Sequence, residues 1–252
     1  MIVNDSAKFF KFAGIKIIRP MRKIFRNVIV PLAFALLSLG LNAQDCGGYY
    51  PVNEGTMLGY KTYNDKGKLT GSNKQTILSK TISAKGVDYA VRSEASDGKD
   101  KLLSDGTLTM RCEDGKFFMD MKSLMDPAAM GDMKDMQMEI SGVDMEIPSS
   151  MAVGQTLPDA SVNISFSTNG MVLMRMYVKI TNRKVVAQES VTVPAGTFDC
   201  LKITYDLESK AMIKITGSAT QWMAVGPGLV KSESYDKKGN LISSQLLNEF
   251  TK

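Results

Sequence analysis

The sequence contains no histidine. That absence removes the Ser-His-Asp and Cys-His nucleophile systems, the imidazole general base and every histidine-containing zinc site. Tryptophan occurs once and cysteine three times. No G-x-S-x-G, phosphate loop or dinucleotide fingerprint is present. Hydrophobic residues make up 44% and charged residues 23%, an ordinary globular balance that argues against disorder, collagen and coiled coil. What the chain has in excess is methionine, 18 in 252 residues.

The formal charge of +5 is unevenly placed. Lys8, Lys11, Lys16, Arg19, Arg22, Lys23 and Arg26 lie before position 44, opposed only by Asp5. An apolar run from Val28 to Leu41 follows, then Asn42-Ala43-Gln44. A basic region, a short apolar run and small residues at its end describe a secretory signal peptide. Its 14 residues fall short of the roughly 20 that span a bilayer, and Pro31 disfavours a rigid span. The pattern predicts cleavage after Ala43, with Met21 as a plausible start of translation. A retained signal anchor is the competing reading. A lipoprotein is disfavoured, because Asn42-Ala43-Gln44-Asp45 lacks the small residues a lipobox needs before Cys46. Export places the protein in the periplasm or cell envelope of a Gram-negative bacterium.

Residues 44–252 are then a single domain of 209 residues with no membrane span. Removing the leader's seven basic and one acidic residues from 31 and 26 leaves a charge of about −1. Nothing remains that argues for a nucleic-acid footprint. Cys46, Cys112 and Cys200 all lie in the exported part, where disulfides form. Three cysteines allow one bridge and one free thiol, with three pairings open.

Turn signals fall at Asp65-Lys66-Gly67, Lys85-Gly86, Asp97-Gly98, Asp105-Gly106, Asp114-Gly115, Asn169-Gly170, Ala195-Gly196 and Lys238-Gly239. Between them apolar and polar residues alternate, most clearly Leu201, Ile203, Tyr205 and Leu207 against Lys202, Thr204, Asp206 and Glu208. Such alternation marks a half-buried strand. Over 171–181 both faces carry apolar residues, which predicts a strand covered on both sides. The reading is all-β: eleven to thirteen antiparallel strands in a curved sheet or open half-barrel. Asp126-Pro127 followed by Ala128, Ala129, Met130 and Met133 predicts one short inserted helix around 127–135. Thr62–Ser72 echoes Ser234–Ser244, two similar basic glycine turns.

Nine methionines crowd residues 119–151. They fill an irregular core, make an adaptable apolar binding surface, or bind Cu(I) as soft thioethers. The missing histidine and the interleaved Asp132, Asp135 and Glu139 count against copper, and no metal or cofactor is expected. The candidate ligand-binding residues are Met125, Met130, Met133, Met136, Met138 and Trp222. No catalytic residue is assigned. Ser/Lys pairs such as Ser96 and Lys99 fall in turns, where nothing activates a serine.

Four stretches carry a family resemblance: Cys46–Ser72, Arg111–Met121, Val191–Glu208 (VTVPAGTFDCLKITYDLE) and Gln221–Ser244 (QWMAVGPGLVKSESYDKKGNLISS). They resemble the TapB-like group of exported bacterial proteins of unknown function. The resemblance implies an open antiparallel barrel or curved sheet, similar in outline to periplasmic lipoprotein carriers, and supplies no catalytic residues. The expected function is a non-catalytic binding or accessory protein that holds a lipid or other hydrophobic ligand in a concave groove. The alternative is an assembly factor that binds another exported protein through a sheet edge.

Overall fold

The computed structural model describes residues 47–83, 86–119, 137–211 and 213–252. Among these there is no helix, and the segment 127–135 expected to be helical lies outside them. The strands are β1 (Met57–Asn64), β2 (Leu69–Ser83), β3 (Gly86–Asp97), β4 (Leu102–Glu113), β5 (Lys116–Met119), β6 (Gln137–Val143) and β7 (Met145–Pro148). They continue with β8 (Ala160–Thr168), β9 (Met171–Val193), β10 (Gly196–Lys210), β11 (Lys214–Ala224), β12 (Gly228–Asp236) and β13 (Leu241–Thr251). All thirteen form one antiparallel sheet in the order β6-β8-β9-β10-β11-β12-β13-β1-β2-β3-β4-β5-β7.

That order dictates the shape. β6 and β7 are the two outer strands of the sheet, yet only Asp144 separates them in the chain. A single residue cannot bridge the width of a flat thirteen-stranded sheet. The sheet therefore curls until its edges meet, giving a nearly closed barrel with its seam at Asp144. β6 pairs with β8 and β7 with β5, so the two strands act as successive halves of one closing strand.

The turns are built by local chemistry. At Asn64, Asp97 and Asp236 one side-chain oxygen accepts from two backbone N–H groups, those of residues two and four positions on. The left-handed position in these turns falls three residues on, at Gly67, Asp100 and Gly239. Gly98 is thus not the special residue of its turn. Asp105-Gly106, expected as a turn, lies inside β4 instead. Asp105 sits beside Arg92 of β3, which donates two hydrogen bonds to its carboxylate at 2.9 and 2.6 Å. The cross-strand pair uses the carboxylate that a turn would need.

Alternation sends one side chain in two inward. Ile77, Val91, Tyr89, Met110 and Phe117 form one interior cluster, Val185, Leu201, Ile203 and Met223 a second, and Val162, Ile164 and Phe166 a third. β9 is more exposed than its double apolar pattern suggested: Met171, Val172 and Leu173 face solvent. They lie at the start of β9, beyond the end of β10, where β8 alone pairs with it.

The segment preceding β1 enters the barrel and buries Tyr49 and Tyr50. Its carbonyl at Gly48 accepts from the N–H of Gly226, in the β11–β12 turn. On the same side, buried Arg183 ties down the loop after β7 by donating to the carbonyls of Glu146 and Pro158 at 3.0 and 2.7 Å. Gly228 has φ +76, and a Cβ there would lie 2.4 Å from the Tyr49 carbonyl oxygen. Gly228→Ala is therefore expected to cost about 2 kcal/mol or more. Gly106→Ala, which meets nothing within 4 Å, is expected to stay within about 0.5 kcal/mol of the parent. Urea unfolding of the two variants checks the contrast.

Candidate functional site

Register places a polar row on the inner face of the sheet. Gln221 of β11 pairs with Ser232 of β12, Ser232 with Gln245 of β13, and Gln245 with Thr62 of β1. On β2, Asn73 lies opposite Tyr60 and Gln75 opposite Leu58. Of these, Gln221, Gln245, Tyr60, Asn73 and Gln75 line a cavity of about 140 Å³. Its amides are Asn73, Gln75, Gln221 and Gln245, its thioethers Met110, Met119, Met145 and Met223, and its phenols Tyr49, Tyr50 and Tyr60. Ile147 and Leu229 complete the wall.

Among the described residues, none that lines it carries a charge. The phenols stay neutral, because burial pushes Tyr50 well above the ordinary tyrosine range. Tyr60 rises through burial and through its proximity to Tyr50. Some polar groups are already used. Tyr60 donates to the Leu229 carbonyl at 3.2 Å, and Asn73 donates to the Ser93 hydroxyl at 2.9 Å. Gln245 reaches Thr62 at 3.5 Å. Tyr50 differs. Its ring packs against Phe117 at 5.0 Å between centroids, and its residue is 8% exposed, yet its hydroxyl has no partner among the described residues. An unpaired buried hydroxyl costs about 1–3 kcal/mol. The cavity thus offers an unsatisfied donor, spare amide groups and soft apolar walls. It has no general base, nucleophile or charged group to drive a reaction, and no cluster of three metal-ligating carboxylates or thiols occurs among the described residues.

The model of the DUF3108-like family matches residues 53–247, from the approach to β1 through most of β13. The chain belongs to the DUF3108-like family. Among solved structures, this DUF3108-like chain is similar to a Bacteroides fragilis protein described as exported and as having a YmcC-like fold. The identity is 26% and the TM-score 0.66, covering 82% of this chain and 100% of that one. It is also similar to a protein described as a lipoprotein from Parabacteroides distasonis, at 27% identity and TM-score 0.65, with the same coverage. Among curated proteins, none matches. The DUF3108-like match places the chain in a family of unknown function, as the strand-and-turn motifs suggested, while the TapB-like name itself is not matched.

Of the residues singled out in the sequence, Met138 packs on the interior cluster of Val162, Ile164 and Phe166. Met125, Met130, Met133 and Met136 lie outside the described residues. Trp222 faces away from the cavity that its neighbours Gln221 and Met223 line. It sits in a cross-strand row between Lys202 and Lys231, whose ammonium groups lie 5.2 and 4.6 Å from its ring, and it donates to Glu189. The β9–β10 hairpin covers it with Val191, Ala195 and Phe198. The residues that sequence reasoning passed over are Tyr50, Asn73, Gln75, Gln221 and Gln245. Nothing in the local sequence marks their amides and hydroxyl as inward-facing, because that depends on strand register and on the segment before β1.

Cys112 is disulfide-bonded and Cys200 is a free, buried thiol. Burial, with Asp199 and Glu189 nearby, pushes the Cys200 thiol from 9.0 up to about 11. A raised thiol pKa favours the folded state below the ordinary value and loses that contribution as pH rises through the folded one. Stability from this group is therefore expected to fall between about pH 9 and 11, and Cys200→Ala removes that slope. In folded protein at pH 8, iodoacetamide is expected to leave Cys200 unmodified. Non-reducing peptide mapping is expected to recover Cys112 in a disulfide-linked peptide and Cys200 in an unlinked one.

Proposed function

We propose that the protein is an exported, non-catalytic binding protein of the bacterial cell envelope. It holds the small neutral end of an amphiphilic or hydrophobic ligand inside the barrel. The observation that carries this reading is the Tyr50 hydroxyl, buried with no partner among the described residues, against a cavity whose described lining is uncharged and holds amides and methionines. The two structural relatives described as an exported protein and a lipoprotein support the location. The narrower TapB-like likeness rests on the strand-and-turn motifs quoted above and supports the same class.

Size limits the ligand. At about 140 Å³ the cavity matches one that accepts a benzene-sized molecule, and lies below the ~300–1,000 Å³ of sites that enclose a drug-sized one. A whole lipid does not fit the described cavity, whereas a terminal group with one hydroxyl or amide does. Partner binding by strand addition is the weaker reading. The two outer strands are seven and four residues long and meet at the seam, leaving little free edge.

Tyr50→Phe separates structure from binding. It removes an unpaired hydroxyl, so stability is expected to stay within about 1 kcal/mol of the parent or rise. NMR titration with phenol and benzene reads the site. The parent is expected to bind phenol at least threefold more tightly than benzene, and Tyr50→Phe to lose that preference. Equal binding of both probes by the parent, or an unchanged preference in the variant, rules the reading out.

A further inference from the structure

The up-and-down order of β8 to β13 and β1 to β4 sorts the turns into two ends. One end carries the turns after β1, β3, β8, β10 and β12. The other carries those after β2, β4, β9 and β11, together with the buried Tyr49–Tyr50 segment. The two ends differ in chemistry. At the first, large apolar side chains stand in solvent: Ile213 is 76% exposed, Met171 68%, Leu103 63%, Ile215 61% and Leu173 55%. Each lies within a few residues of a turn tip, and each belongs to β4, β9, the β10–β11 connection or the start of β11.

Lysines accompany them. The turns after β1, β3 and β12 hold Lys66, Lys68, Lys99, Lys101, Lys237 and Lys238, all exposed. The only acidic residues between the flanking strands there are Asp65 and Asp100. The neighbouring carboxylates of Asp97 and Asp236 face backwards, each accepting two backbone N–H groups of its own turn. Their charge stabilises the turn, and the ammonium groups are left at the tip. The opposite end also exposes apolar side chains, Ile82 at 80% and Val225 at 69%, but without a comparable lysine cluster among the described residues. Its described turns at 114–115, 194–195 and 225–227 contain no lysine, and the adjacent Lys116 is ion-paired with Glu146 at 3.1 Å.

We propose that this end of the barrel docks on an anionic lipid surface. Exposed apolar tips flanked by cations match the boundary of a bilayer with acidic headgroups: side chains such as Leu103 and Ile213 enter the acyl boundary while the lysines meet phosphates. The charge complementarity selects a lipid surface over a second copy of the chain, because two such ends brought together would set lysine against lysine. The attachment is peripheral and made by side chains on rigid turns. It does not depend on the cavity or on its ligand.

The test uses the chain from Gln44, which forms a compact unit of its own. Co-sedimentation is measured with vesicles of phosphatidylcholine alone and with vesicles containing 30% phosphatidylglycerol. The parent is expected to bind the anionic vesicles at least tenfold more tightly, and to lose most of this at 0.5 M salt. Lys101→Glu/Lys238→Glu and Leu103→Ser/Ile213→Ser are each expected to weaken binding tenfold or more, with thermal unfolding unchanged. Val225→Ser, at the other end and 69% exposed, is expected to bind like the parent. Equal binding to both vesicles, or undiminished binding by the two double variants, overturns the proposal. So does a dimer that these variants dissociate, without vesicle binding by the parent.

Discussion

The closure at Asp144 governs this molecule. An open sheet of thirteen strands leaves two rows of unpaired N–H and C=O groups, and such edges invite association with other chains. Here the chain passes directly from one outer strand to the other. β6 completes the pairing of β8 and β7 completes that of β5, within twelve consecutive residues. Everything inside the barrel follows from the curl this forces. Side chains on one face of every strand converge, whatever their polarity.

Convergence explains why the interior is only partly apolar. Around the clusters of Tyr89, Val91 and Ile203 the inner face is a conventional core, and each such side chain contributes about 1.5–3 kcal/mol by leaving water. Across β2, β11 and β13 the same face carries amides. Apolar residues of similar size there would have spared the cost of burying polar groups. The amides and phenols around this uncharged space are the ground of the proposed binding role. The methionines that reach it, Met110, Met119, Met145 and Met223, come from four different strands and provide a surface that adapts to shape without adding charge.

A second division runs along the barrel axis. One end carries chain packed into it: the Tyr49–Tyr50 segment and the loop held by Arg183. The other ends in turns whose asparagine and aspartate side chains are tied into their own backbone. The rigidity of those turns is local, set within five residues. The echo between Thr62–Ser72 and Ser234–Ser244 is thus the same turn chemistry used twice, and Asp97–Lys101 uses it a third time without glycine at the left-handed position.

The fold class was legible because strand alternation and turn chemistry are short-range. Leu201, Ile203 and Tyr205 announce a strand face to any reader of the chain, and Asn169-Gly170 or Lys238-Gly239 announces a turn. The exceptions have local reasons visible only in three dimensions: Asp105-Gly106 gave up its turn to the Arg92 pair, and the start of β9 outran its neighbour. The cavity was not legible. Whether Gln221 or Trp222 faces inward depends on which face of β11 the barrel closes upon. Nothing local marks Asn73 and Gln75 as inward-facing until Tyr60 and Leu58 pair with them. Sequence by itself determined the absence of histidine chemistry and the antiparallel strands, eleven to thirteen of them, since each follows from composition or neighbours in the chain. Tertiary structure alone decided the closure, the neutral interior, the free thiol at Cys200 and the apolar, lysine-bearing end. Those depend on strand order and register, which join residues as far apart as Asn73 and Gln245.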